Sequence, residues 1–101
     1  MQMTKLYSKW RIPGTSYCMI RWKPNVFVPP HGHNGKQCKF WLVKGALQEN
    51  QYKIIPNHGY SMEGERVILP GQSSYINDTI GVHSVRNLLD SAAWSIHRYY
   101  E

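Results

Sequence analysis

Histidine is scarce in this chain, five among 101 residues, and three of the five are spaced as metal ligands would be. His31-Gly32-His33 sets two imidazoles at i and i+2. On a strand that spacing turns both toward one face. His83 follows fifty residues later, just after Ile80-Gly81 and at a predicted strand start. Two histidines from one strand and a third from a distant strand can clamp a metal inside a barrel. Imidazole suits iron, copper, zinc and nickel alike. Taken by itself, His-x-His also fits two surface residues beside the turn at Pro29-Pro30.

The elements that must position these residues read as strands. Short β-rich runs at 17–22, 26–28, 39–43, 46–55, 66–69, 75–76, 83–88 and 93–99 are punctuated by Gly, Pro and Asn. Such spacing of turn residues belongs to a sandwich or barrel. No segment carries a long helical period, and only residues 1–12 leave room for a helical turn. The expectation is an all-β chain of seven or eight antiparallel strands in a compact barrel.

Composition narrows the class. A chain of 101 residues, 42% hydrophobic and 18% charged, is globular in type and of one-domain length. The single domain is taken as 1–101, with 1–16 as a lead-in and 17–101 as the barrel. No apolar run approaches the roughly 18 residues of a membrane span. Residues 1–6 (MQMTKL) carry no apolar leader core, so no secretory signal is expected. Two cysteines, Cys18 and Cys38, are too few for a disulfide framework, which favours a reducing, cytoplasmic location. Twelve Lys and Arg against six Asp and Glu give a net charge of +6. That excess suits nucleic acid, anionic lipid or a small anionic substrate.

Two short patterns give the histidines a context. His31-x-His33, four residues, Cys38, six residues, Gly45 has the spacing of the first cupin motif, with Cys38 where that motif usually carries Glu. His83-Ser84-Val85-Arg86-Asn87 matches the His-x-x-x-Asn end of the second motif. The Pro-x-Gly normally found before it is absent, with Asp78 and Ile80 in its place. Beyond the motifs, the segment 75–87 (YINDTIGVHSVRN) resembles the corresponding stretch of the cysteine dioxygenase family. So do His31-Gly32-His33 with Cys38, and Ser95-Ile96-His97-Arg98-Tyr99. The resemblance covers residues 17–99, and its three patterns are independent and in register.

That resemblance implies a small cupin, a jelly-roll-like β-barrel, acting as a non-haem thiol dioxygenase. Fe(II) would be held by His31, His33 and His83, although nickel or zinc can fill such a site in a purified sample. A small thiol, cysteine or 3-mercaptopropionate in type, would bind through sulfur and amine, and both atoms of O2 would be added to sulfur to give a sulfinic acid. The substrate thiolate supplies the negative charge, so the missing Glu at Cys38 is consistent. Tyr99 resembles the family's active-site tyrosine, His97 the histidine that hydrogen-bonds it, and Ser95 the first member of the same row. Strand alternation agrees, facing Ser95, His97 and Tyr99 one way and Ile96 and Arg98 the other. Cys38 matches the position that forms a thioether with the tyrosine in animal-type members, so the resemblance allows a Cys38–Tyr99 crosslink. Cys18 has no counterpart and reads as a strand residue.

The resemblance departs at the substrate carboxylate. The family reads it with Arg in a Tyr-x-Arg segment, and here Tyr7-Ser8-Lys9 stands in that region. Lysine is a point charge rather than a bidentate fork. Arg11 and Arg21 are the other candidate carboxylate contacts. Family members also continue past the tyrosine, usually through Ser-Pro, where Tyr100-Glu101 stands here. This reads as a minimal version, its pocket open to water or covered by a second subunit. The expected partners are the thiol and O2, with the chain a monomer or homodimer and no membrane or nucleic acid engaged. The alternatives are a metal-binding cupin without dioxygenase activity or with another small-molecule reaction, and a basic nucleic-acid-binding domain. The last is weakened by dispersed basic residues and the lack of a recognised binding motif.

Overall fold

The computed structural model describes residues 6–33 and 35–101. The leader reading of residues 1–6 therefore lies, but for Leu6, outside the described residues. Nine strands follow one another, β1 Tyr7–Arg11, β2 Tyr17–Trp22, β3 Phe27–His31, β4 Gln37–Lys44, β5 Leu47–Ile55, β6 Gly59–Ile68, β7 Ser73–Ile76, β8 Val82–Asn87 and β9 Ala93–Tyr100. No helix occurs among the described residues, and none is long and apolar enough to cross a membrane. The fold class is as expected, but two strands were not. Residues 7–11, given at most a helical turn, form β1, which pairs antiparallel with β2 from Tyr7↔Trp22 to Arg11↔Cys18. Part of the lead-in is thus integral to the sheet. Residues 59–65 extend the short run at 66–69 into the ten-residue β6.

The strands form two antiparallel sheets. One has the order β1-β2-β9-β4-β7, the other β3-β8-β5-β6. Alternation along β2, β4 and β7 sends every second side chain between the sheets. Ile20 and Trp22 of β2, Phe40 and Leu42 of β4, Leu47 of β5, Ile76 of β7 and Val85 of β8 form one buried cluster. Trp22 brings a polar edge into it and satisfies that edge by donating from Nε1 to Ser95 Oγ at 2.8 Å. A buried indole N–H needs such a partner.

Both motif-end residues have structural work. Gly45 takes φ +106°, and a Cβ there would lie 2.8 Å from the Cβ of Ala93. Only glycine permits the β4–β5 turn to press on β9 so closely. Asn87, buried at the end of β8, donates to the carbonyls of Lys23 and Ser91 at 3.0 and 2.9 Å and accepts from the Leu89 amide at 3.1 Å. It ties two loops to one end of the sandwich. The metal-ligand candidates lie toward the other end, at the end of β3 and the start of β8.

Candidate metal centre

His31 closes β3 and His83 is the second residue of β8, and the antiparallel register pairs them directly. His33 lies two residues past His31, beyond the end of the strand. Its loop is tied down by Asp78, whose Oδ2 accepts from the Gly35 amide at 2.6 Å. The ligand nitrogens of His31, His33 and His83 all fall within 4.8 Å of one another. Between their rings, and under Tyr7 and Tyr99, is a cavity of about 20 Å³, room for one ion or water.

The acceptors around two of the rings fix how they present themselves. His31 Nδ1 sits 3.0 Å from the Pro29 carbonyl, and His83 Nδ1 sits 2.8 Å from Glu49 Oε2. A proton on each Nδ1 satisfies these contacts. Both Nε2 atoms are then lone pairs, and they face each other at 3.1 Å. Two lone pairs repel at that distance unless a cation lies between them. Nitrogens about 2.1 Å from one ion, on adjacent octahedral positions, stand about 3 Å apart. His33 adds a buried Nδ1 with no hydrogen-bond partner. Burial lowers the pKa of His31 below its ordinary 6.5. Burial first, then the neighbouring His83 and His31, bring His33 down to about 4. Neutral imidazoles with free lone pairs are what a divalent metal requires. The residues present therefore fit a three-histidine metal site.

The wall beside the cage comes from β9 and β4. Ser95, His97 and Tyr99 face inward as strand alternation requires. Ser95 and His97 are buried and Tyr99 is half-buried. Ser95 Oγ lies 2.6 Å from His97 Nε2, and His97 Nδ1 lies 3.8 Å from Cys38 Sγ. The hydrogen bond from His97 to the Tyr99 hydroxyl that the resemblance implies is not among those formed. With Ser95 and Cys38 on its two nitrogens, His97 instead lies nearly parallel to Tyr99, centroids 6.1 Å apart. Burial first, with His83 and Lys9 adding to it, holds His97 down to about 3. Cys38 pairs directly with Tyr99 across β4 and β9. Burial pushes the Cys38 thiol up to about 12 and raises the Tyr99 phenol above its ordinary value. Both keep their protons at neutral pH.

The three basic candidates separate. Lys9 reaches over the Tyr99 ring, its Nζ 4.0 Å from the centroid. It lines an open mouth of about 350 Å³ outside the cage, with Tyr7, His31, His33, Lys36 and Tyr99. Arg11, one face-repeat further along β1, lines an adjoining hollow with Cys18, Lys36 and Tyr99. Its Nε donates to the Thr15 carbonyl at 3.4 Å. Arg21 is not brought to the site. It lies between the buried Ile20 and Trp22, so alternation turns it to the outer face of the sheet.

Two residues at the site escape sequence reading. Lys36 is a second cation at the mouth, and nothing in its loop marks it. Glu49 is fully buried and bonds the inner side of His83. Its signal was an acidic residue at the same strand parity as Leu47.

Comparison with known proteins adds to this geometry. The profile of the cysteine dioxygenase type I family matches residues 4–101. The chain is 33% identical to human cysteine dioxygenase type 1 over 72 residues, which is 68% of this chain and 36% of that protein. Against the Danio rerio protein of the same name it is 32% identical over 73 residues, with the same coverage. The chain thus spans little more than a third of the length of the curated relatives it matches. Among solved structures, an oxalate oxidase superposes with a TM-score of 0.67 at 20% identity, over 84% of this chain and 41% of that one. The Drosophila melanogaster CENP-C cupin domain superposes with a TM-score of 0.69 at 12% identity, over 92% and 74%. At such identities the likeness establishes a cupin fold and nothing finer.

Proposed function

This chain belongs to the cysteine dioxygenase type I family, and from that membership we propose that it is a non-haem iron thiol dioxygenase. A small thiol and O2 combine to a sulfinic acid, RSH + O2 → RSO2H, with no further reductant. The observation that carries the reading is the pair of Nε2 atoms facing each other at 3.1 Å, with His33 beside them. His31, His33 and His83 would hold the iron. When bound, it supplies the redox centre that lets triplet dioxygen react with a thiol.

The chain's own residues would bind and orient. Lys9 and Lys36 give the mouth positive charge where the acidic end of a thiol would rest. Two point charges select for an anion without fixing its plane as a guanidinium would. Tyr99 stands between that mouth and the cage, its hydroxyl protonated and therefore a donor. Ser95, His97, Phe40 and Trp22 back the cage with packed rings and no free charge, His97 and Phe40 stacking at 4.8 Å. That wall keeps bulk water from behind the reacting atoms. A cytoplasmic setting, where free thiols stay reduced, suits such a reaction.

Iron-loaded protein should take up oxygen with 3-mercaptopropionate or cysteine and turn over cysteamine, which lacks the carboxylate, poorly. Lys9→Ala should raise KM for the carboxylated thiols about tenfold, the worth of one charge-assisted hydrogen bond, and leave cysteamine unchanged. Equal KM shifts for both kinds of thiol would remove Lys9 from carboxylate binding.

Cys38 and Tyr99 form the proposed thioether. The Sγ–H and a ring C–H beside the hydroxyl are lost, a C–S bond forms, and two electrons and two protons pass to O2. Protein turned over with iron and thiol should then be lighter by two hydrogens, a deficit that survives reductant and is absent from Cys38→Ser. An unchanged mass would rule the link out.

A further inference from the structure

We propose that Glu49 is a positioning residue of this centre, holding His83 in one tautomer and orientation and placing a carboxylate just behind a cage whose three ligands carry none. The inference rests on reading the cage as a metal site. Glu49 sits on β5 between Gln48 and Asn50, and strand parity sends it inward with Leu47. Both are fully buried. Its Oε2 faces His83 Nδ1 at 2.8 Å, while Oε1 accepts from Ser74 Oγ and, at 3.5 Å, from Gln51 Nε2. Gln51 is itself anchored by donating to the Tyr75 carbonyl at 3.1 Å. The carboxylate is thus held from both sides of the sandwich, by β7 and by its own strand.

A purely structural role explains this poorly. A carboxylate removed from water is costly unless it is paired. Among the described residues the one ionic partner of Glu49 is His83. Its other contacts, Ser74 and Gln51, are neutral. What the carboxylate adds is directional. It keeps the proton on Nδ1, so that Nε2 points its lone pair into the cage, and it enriches that lone pair. Carboxylate–histidine–metal chains act in this way, and losing the carboxylate typically weakens metal binding 10–100-fold.

Glu49→Gln and Glu49→Ala, compared with the wild-type chain, test the proposal through two readouts. The first is the tautomer of His83 in metal-free protein, read from long-range imidazole ¹H–¹⁵N correlations. The second is the affinity for Co(II), a spectroscopic probe of the site. Wild-type His83 should carry its proton on Nδ1 alone. Glu49→Ala should show a mixture of tautomers and a Co(II) affinity lower by about 10–100-fold. Glu49→Gln can still accept from Nδ1. It should keep the tautomer while losing a smaller part of the affinity, which remains informative if the alanine variant does not fold. Unchanged tautomer and unchanged affinity in a folded variant would overturn the proposal. Wild-type protein that binds no Co(II) would overturn the metal-site reading. The tautomer measurement would still decide whether Glu49 orients His83.

Discussion

His83→Ala is expected to emerge from purification without iron and to show no thiol-dependent oxygen uptake. His83 is the buried member of the three, held by Glu49 on one nitrogen and facing His31 with the other. Its removal leaves His31 and His33, the latter on a loop held by the Gly35 contact with Asp78 and by the Lys36 amide donating to the His33 carbonyl at 3.1 Å. Two imidazoles on a strand end and its following loop make a weak site. The same change strands the Glu49 carboxylate in the core. Removing one partner of a buried pair costs about 3–5 kcal/mol, so the variant should also melt well below the wild type. His58→Ala, at an exposed position in the β5–β6 turn, serves as the control and should keep its iron. Iron counted per chain after gel filtration checks both. Full iron in a folded His83→Ala would show that the three-histidine assignment is wrong.

Gly81→Ala is expected to be the most damaging single methyl in the chain. Gly81 takes φ +137°, a region that L side chains avoid, and a Cβ there would lie 1.9 Å from the Tyr52 carbonyl oxygen and 3.0 Å from its carbon. Both atoms belong to the backbone of β5, so nothing flexible can turn aside. Strained backbone and overpacking cost about 1–3 kcal/mol each. Together, at about 2–6 kcal/mol, they reach the lower end of a small domain's stability of roughly 5–15 kcal/mol. The position also opens the turn into β8, two residues before His83, so relief by a backbone shift would pull His83 from the cage. A melting point lower by at least about 10 °C, or failure to fold, is the expected result. Gly71→Ala, where φ is +88° but nothing lies within 4 Å, should cost far less. Equal melting points for Gly81→Ala and the wild type would contradict the close packing of β5 on β8.

The strands that bury one face were legible in the sequence, and those that bury none were not. β2 and β9 bury every second residue, Ile20 and Trp22 in one and Ala93, Ser95 and His97 in the other, and their expected limits fall within one residue of those observed. β6 is exposed on both faces until Ile68. It is held by backbone hydrogen bonds to β5, which leave no periodic signature. β1 is likewise an edge strand with little buried, and it escaped for the same reason. At the site, the i, i+2 spacing marked His31 and His33, although His33 lies past the end of β3, and the His-x-x-x-Asn pattern marked His83. The cross-strand pairing of His31 with His83 depends on long-range register, which local sequence does not encode. Arg21 was misplaced because its charge was weighed without its parity between Ile20 and Trp22. Glu49 was passed over because an acidic residue in a strand ordinarily faces water. Only the register of β5 on β8, with Glu49↔Val85 in the ladder, puts it behind His83.

The central claim is most directly tested by the fate of the oxygen atoms. Anaerobically iron-loaded protein would be given 3-mercaptopropionate under isotopically heavy dioxygen, with uptake and product mass followed together. The account predicts one O2 consumed per thiol and a sulfinate in which both oxygens are heavy. A disulfide with hydrogen peroxide, a sulfinate with oxygen from water, or no uptake by iron-loaded protein with any of the thiols tried would contradict it.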